Sequence, residues 1–193
     1  DVVATNNGPV GALTVNSGAA TIFTSTVDAA SVTTNTGGTV VIKGGRITTS
    51  GTQTYNDDVL LDNAAARTTV LNTTNAAVMF AGKVNNNTAA AEALTINTGT
   101  GVSAGAVTFT GAVGDVVGTN NGPVGAMVVN SGGATTFTST VDAASVLTNA
   151  GGTVVIKGGR ITTSGAQTYN DAVTLDGAMS FNASNLMFGS SVN

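Results

Sequence analysis

The stretch GGTVVIKGGRITTSGTQTYNDDVLLD at 37–62 returns as GGTVVIKGGRITTSGAQTYNDAVTLD at 151–176. It belongs to a longer duplication. Residues 1–63 align without gaps on residues 115–177, an offset of 114, and 52 of the 63 positions are identical. Within it, runs of Val, Ile and Thr alternate with clusters of Gly, Asn, Asp and Ser, the pattern of strands and turns. A long self-similar period marks a repeat architecture. After Gly177 the likeness weakens, although TNAAVMFAGKV at 74–84 is loosely echoed by FNASNLMFGSSV at 181–192.

A shorter period lies inside the long one. ALTVNSG at 12–18, ALTINTG at 93–99 and AMVVNSG at 126–132 are versions of one strand and turn. Each leads into an apolar strand: TIFTSTV at 21–27, AVTFTGAV at 106–113 and TTFTSTV at 135–141. Comparable elements recur about every 20 residues, a period in the range of solenoid repeats. The helical period is confined to AAAEAL at 89–94, which is short and uncapped.

Differences between the copies report which side chains face inward. Val59 and Leu61 keep their parity as Val173 and Leu175, whereas Asp58 and Leu60 become Ala172 and Thr174. Phe23 and Val27 are kept as Phe137 and Val141, while Ile22 becomes Thr136. Leu13 becomes Met127, a swap of similar volume that a core tolerates. Thr14, on the other parity, becomes Val128. Change concentrated on one parity of a period-2 pattern predicts a β surface with one buried side.

Similar strands are separated here by a whole coil rather than by a two-residue hairpin. Parallel neighbours require such a crossover, and right-handed winding is its default. Propeller blades are longer and carry aromatic and His-containing motifs, whereas this chain has no His and no Trp. The reading is an all-β, right-handed parallel β-helix spanning 1–193 as one solenoid segment, with about 20–23 residues per coil. Eight or nine coils would then make a rod roughly 40 Å long, and the 114-residue unit would fill roughly five coils, about 24 Å. Asn side chains suit such stacking because they form ladders between rungs.

Composition narrows the chemistry. With no Cys and no His, thiol nucleophiles, His-based triads and disulfides are absent. Six cations in 193 residues and a net charge of −4 point away from nucleic acid. No apolar run approaches the roughly 18 residues of a membrane span. The first residue is Asp, and neither end carries a cap, so the chain reads as a segment of a longer repeat protein or one that stacks on copies of itself.

The 37–62 segment and its partner at 151–176, with the LTVNSG and TFTSTV patterns, resemble repeats in filamentous-haemagglutinin-like and autotransporter-type bacterial β-strand repeat proteins. The resemblance covers most of the chain. It implies an exported passenger on the bacterial surface or outside the cell, a right-handed β-helix, and a role in adhesion or surface structure. Its implied partners are flanking repeats or further copies joined end to end, and host or surface glycans or proteins.

Candidate sites are few. Asp57-Asp58 is the adjacent carboxylate pair, of a kind that serves acid–base chemistry or holds calcium. Its second copy is Asp171-Ala172, and neighbours on a strand point to opposite faces, which favours a turn role. Lys43 and Arg46 flank Gly44-Gly45, and Lys157 and Arg160 repeat them, so these four are the ligand-contact candidates for an acidic glycan. The competing reading is a tight turn with solvated charges, pairing with Asp28 or Asp57. Thr units at 24–26, 108–110 and 138–140 would suit a threonine array like those of ice-binding solenoids, but they are unevenly spaced. No phosphate loop and no calcium nonapeptide is present, and no cofactor is expected. The expected function is structural and non-enzymatic. A filament subunit joined through open rungs is the alternative, and a polysaccharide-acting β-helix enzyme stands behind both.

Overall fold

The computed structural model describes residues 9–88, 90–99, 101, 103–115 and 122–193. Among these residues there are twenty-one strands and no helix. The strands stack in parallel on three faces of a β-helix, each strand pairing with its counterpart one coil later.

The first face holds β1 (Val10–Val15), the end of β3 (Val27–Thr34), β6 (Gln53–Tyr55), β9 (Val78–Phe80), β12 (Val107–Phe109), β14 (Ala134–Phe137), β16 (Thr153–Ile156) and β19 (Ala172–Leu175). The second holds β2 (Ala20–Phe23), β4 (Thr39–Ile42), β7 (Asp58–Leu61) and β10 (Val84–Asn86). It continues through Val113 to the start of β15 (Val141–Thr148), β17 (Arg160–Thr163) and β20 (Ser180–Asn182). The third holds the start of β3, β5 (Arg46–Thr49), β8 (Thr68–Thr73), β11 (Ala93–Gly99), β13 (Val124–Ser131), the end of β15, β18 (Ala166–Tyr169) and β21 (Asn185–Phe188).

One inward column on the first face counts the coils: Leu13, Val32, Gln53, Val78, Val107, Thr135, Val154, Val173 and Val192. It has nine members, one per coil. Coils are short toward both ends, where the tie between adjoining coils spans 19 positions from Gly38 to Asp57 and again from Gly152 to Asp171. In the middle the spacing widens, to 25 from Asn72 to Asn97 and to 33 from Asn97 to Asn130. The strands of the third face lengthen there too, from four residues in β5 to six in β8, seven in β11 and eight in β13.

The interior is filled by the inward parity read from the two copies. Val59, Phe23, Val27, Met127, Phe137, Val141 and Val173 are buried, and Leu61 is fully so. Each such side chain contributes about 1.5–3 kcal/mol. Tyr55, Phe80, Phe109 and Phe137 stack rung on rung with ring centroids 5.0–5.3 Å apart and planes within 14°. Corners are set by Asn and Gly. Asn35 Oδ1 accepts the Ser17 N–H at 2.8 Å, and Asn149 repeats this with Ser131 at 2.7 Å. A Cβ on Gly44 or Gly158 would overlap the backbone of Ser25 or Ser139 in the preceding coil, so the KGGR corner requires glycine there.

The duplication and the coil are out of phase. From Leu13, four full turns end at Val107 on the first face. Met127, the repeat partner of Leu13, lies two faces further along, on the third. The repeat unit is therefore four and two-thirds turns, short of five, and occupies about 22 Å of rod. Every strand of the second copy sits one face away from its sequence equivalent: β2 is on the second face and β14 on the first.

Candidate functional surfaces

The two adjacent carboxylates diverge. Asp57 is buried and accepts the Gly38 N–H of the preceding coil at 2.7 Å, while exposed Asp58 accepts the Lys83 N–H of the following coil at 2.7 Å. Asp171 repeats the first bond with Gly152 at 2.8 Å. Burial raises the Asp171 carboxyl above its ordinary value, against the opposing hydrogen bonds from Gly152, Thr148 and Gly151. The pair thus ties one rung to each neighbour and presents no joint site.

The four cationic candidates each meet a carboxylate of an adjoining coil. Lys43 lies 3.2 Å from Asp62 and Lys157 3.1 Å from Asp176. Arg46 lies 3.7 Å from Asp28, and Arg160 grips Asp142 with both guanidinium nitrogens, at 2.7 and 2.8 Å. The partner of Lys43 is Asp62 rather than Asp57, because the register of β4 on β7 sets Ile42 opposite Leu61 and so places the residues that follow them side by side. Lys83 pairs with Asp115 at 2.6 Å, and that hydrogen bond raises the ammonium's pKa. These solvent-facing pairs are individually weak, but the duplication repeats the pairs of Lys43 and Arg46, which fixes them as part of the rung-to-rung pattern.

Charge is distributed by face. The strands of the first face carry none, and those of the third carry none from β8 onward. Asp58, Asp142 and Arg160 lie on the strands of the second face, and Lys43, Asp62, Lys83 and Asp115 lie at its borders. On the first face the central outward column is Thr14, Thr33, Thr54, Met79, Thr108, Thr136, Val155 and Thr174. Threonines unevenly spaced in sequence are neighbours in space, Thr108 against Thr136, because unequal coils separate them. Thr24 and Thr26 lie at a corner instead. The third face carries an asparagine ladder. Asn97 donates to Asn72 at 2.7 Å and Asn130 donates to Asn97 at 2.8 Å.

Six outward positions differ between the copies as they change face, while Asp28, Arg46 and Thr54 are kept as Asp142, Arg160 and Thr168. Thr14, Thr33 and Thr52, at the first face, are answered at the third by Val128, Leu147 and Ala166. Ile22, Asp58 and Leu60, on the second face, are answered on the first by Thr136, Ala172 and Thr174.

A groove occurs twice. One, of about 530 Å³, is lined by Pro9, Asp28, Thr48 and Ser50 among others. The other, of about 570 Å³, is lined by their repeat equivalents Pro123, Asp142, Thr162 and Ser164. Its polar atoms are already engaged: Arg160 bonds Asp142 and Thr162, and Ser164 donates to the Ala144 carbonyl at 3.4 Å.

Glu92, the single glutamate, is a buried acid that sequence reasoning missed. It is buried and accepts the Asn63 N–H at 2.7 Å, and burial raises its pKa. Its one signal is a lone acid in the Ala-rich 89–94 run, where short helix and loop read alike. Among the described residues, no three acidic side chains gather as a metal site would require. Among them, no helix is long and apolar enough to cross a membrane. Neither a protein-family model, nor a curated protein, nor a solved structure matches this chain.

Proposed function

We propose that this chain is a structural, non-enzymatic segment of an extracellular bacterial fibre or surface adhesin, working as a stiff rod. The supporting observation is the continuity of the core. One inward column runs through nine coils, and each coil is tied to the next by backbone pairing, ion pairs and Asp or Asn corner bonds. Such a stack is stable by nearest-neighbour contacts and gains length without a new fold. The carboxylates and cations that a polysaccharide-acting site would need are instead joined to each other between coils. The resemblance to filamentous-haemagglutinin-like and autotransporter-type passengers supports the same reading, with flanking repeats as its partners and surface glycans or proteins as what it meets.

End-to-end joining of copies is the second reading, favoured by the parallel rung-on-rung pairing, in which a strand edge accepts a further strand. Electron microscopy of the native material tests both. Flanking repeats give continuous rods with an axial repeat of about 22 Å, the length of four and two-thirds turns, and end-to-end copies give one of about 43 Å, the length of nine coils. Isolated globular particles without axial periodicity would overturn the rod.

A further inference from the structure

The geometry points to the third face as a lateral docking surface for a second copy of this chain, packed side by side. Its central outward column is Val70, Thr95, Val128, Leu147, Thr168 and Met187, one residue per rung for six consecutive rungs. Leu147 is 39% exposed and Met187 46%. Exposed apolar residues scattered singly are ordinary, but a six-rung column with four apolar members and no charge marks an interaction surface. Along one edge runs the ladder of Asn72, Asn97 and Asn130, which supplies a polar rim.

Two further observations select a copy of the same chain as the occupant. The first is the difference between the repeats. Where the first copy places Thr14 and Thr33 on the first face, the second places Val128 and Leu147 on the third. The second copy therefore adds two apolar side chains to this column, while Thr168 keeps the threonine of Thr54. The second is self-complementarity. On this face the strands of the six rungs from β8 to β21 carry no charge and meet their own image without like-charge repulsion. Arg46 and Asp28 stand on the two rungs below that patch, and the second face, carrying Asp58, Asp142 and Arg160, lies away from the contact. A two-fold axis through the middle of the column would fall between Val128 and Leu147, setting these residues of both copies together.

The area is sufficient. Six rungs extend about 29 Å and the outward columns about 20 Å, so pairing buries about 600 Å² of each copy and about 1,200 Å² in all. That is the lower end of specific interfaces, where association is reversible. It is separate from end-to-end joining, since it uses a side of the rod and leaves both ends uncovered.

Sedimentation equilibrium of the 193-residue chain, from low micromolar to several hundred micromolar, tests the pairing. A monomer–dimer equilibrium is expected. The double variant V128K/L147K should weaken it by about 100-fold or more, since like charges would meet at the two-fold. T33K/T108K on the first face should leave it unchanged. Circular dichroism establishes that each variant is folded. V128T/L147T, which restores the threonines of the first copy, serves as a milder test and should also weaken the dimer. The chain has no cysteine, so L147C should form an intermolecular disulfide under mild oxidation and T108C should not. A wild-type chain that is monomeric throughout overturns the proposal. So does a dimer that survives V128K/L147K, or one that T33K/T108K disrupts equally.

Discussion

Gln53 is fully buried, yet its amide is well satisfied. Its Nε2 donates to the Asn72 carbonyl of the next coil at 2.9 Å and to Ile47 O and Thr49 Oγ1 at 3.3 Å, while Oε1 accepts the Tyr55 hydroxyl at 2.9 Å. Gln167 repeats all four bonds with Asn182, Ile161, Thr163 and Tyr169, although it stands on a different face. Q53L should cost about 1–3 kcal/mol in chemical denaturation, because Tyr55 and Thr49 would lose a buried partner. Q53L/Y55F should cost less than Q53L alone, since it removes the stranded hydroxyl as well. Glu92 and Asp171 behave in the opposite sense to a paired carboxylate. Burial raises both pKa values, so the folded chain keeps protons at a pH where the unfolded chain has released them. Their contribution to stability therefore rises as pH falls from neutral toward the ordinary carboxylate pKa of about 4, and levels off below it. Melting curves at pH 7 and at about 4.5 should show a stronger relative gain on acidification for the wild type than for E92Q/D171N.

Among the elements, the corners and the aromatic stack show what sequence could and could not convey. The strands, their inward parity and the glycine corners are legible because 52 of 63 paired positions agree and the exchanges fall on outward positions or turns, apart from the volume-conserving swap of inward Leu13 for Met127. KGGR reads as a turn on the same grounds, and the structure adds why glycine stands there: the preceding coil's Ser25 backbone occupies the Cβ position. G44A should cost about 1–3 kcal/mol, as overpacking does, and G158A should do the same in the second copy. Equal urea shifts for the two would follow from their equal surroundings. The aromatic ladder is not legible, because Tyr55, Phe80, Phe109 and Phe137 come from coils of unequal length and share no period. The ion pairs are partly so. Asp28 is Arg46's partner, but the pairing of Lys43 with Asp62 depends on the length of the coil between β4 and β7, and nothing in the composition sets that length. F109A, in the middle of the ladder, should cost about 3–5 kcal/mol and should speed amide exchange most in the rungs of β9 and β14 on either side.

At the scale of the molecule, the unit of folding is the coil and the unit of sequence is the long repeat, and the two do not coincide. Backbone pairing asks only that inward columns stay aligned, so equivalent strands can occupy different faces without loss. Rung deletion separates the two units. Val154 and Val173 are consecutive members of one column, one coil apart, so removing 154–172 joins Thr153 to Val173 and keeps every column in register. Leu175 then replaces Ile156 above Phe137, Phe181 replaces Ile161 above Val141, and Phe188 replaces Tyr169 beside Thr148. The Gln167 clamp leaves except for its Asn182 partner, and the main losses are the Arg160 partner of Asp142 and the Asp171 bond to Gly152. Removing an equally long segment from the middle, 85–103, takes out only part of the wider coils that separate Asn72, Asn97 and Asn130, and it leaves no column aligned. The first deletion should retain the β-sheet circular dichroism and melt cooperatively at a modestly lower temperature, as a stack one rung shorter does. The second should lose that signal or aggregate through unpaired strand edges. Equal tolerance of both would mean that the columns do not carry the fold. Equal failure would mean that the long repeat, rather than the coil, is its indivisible part.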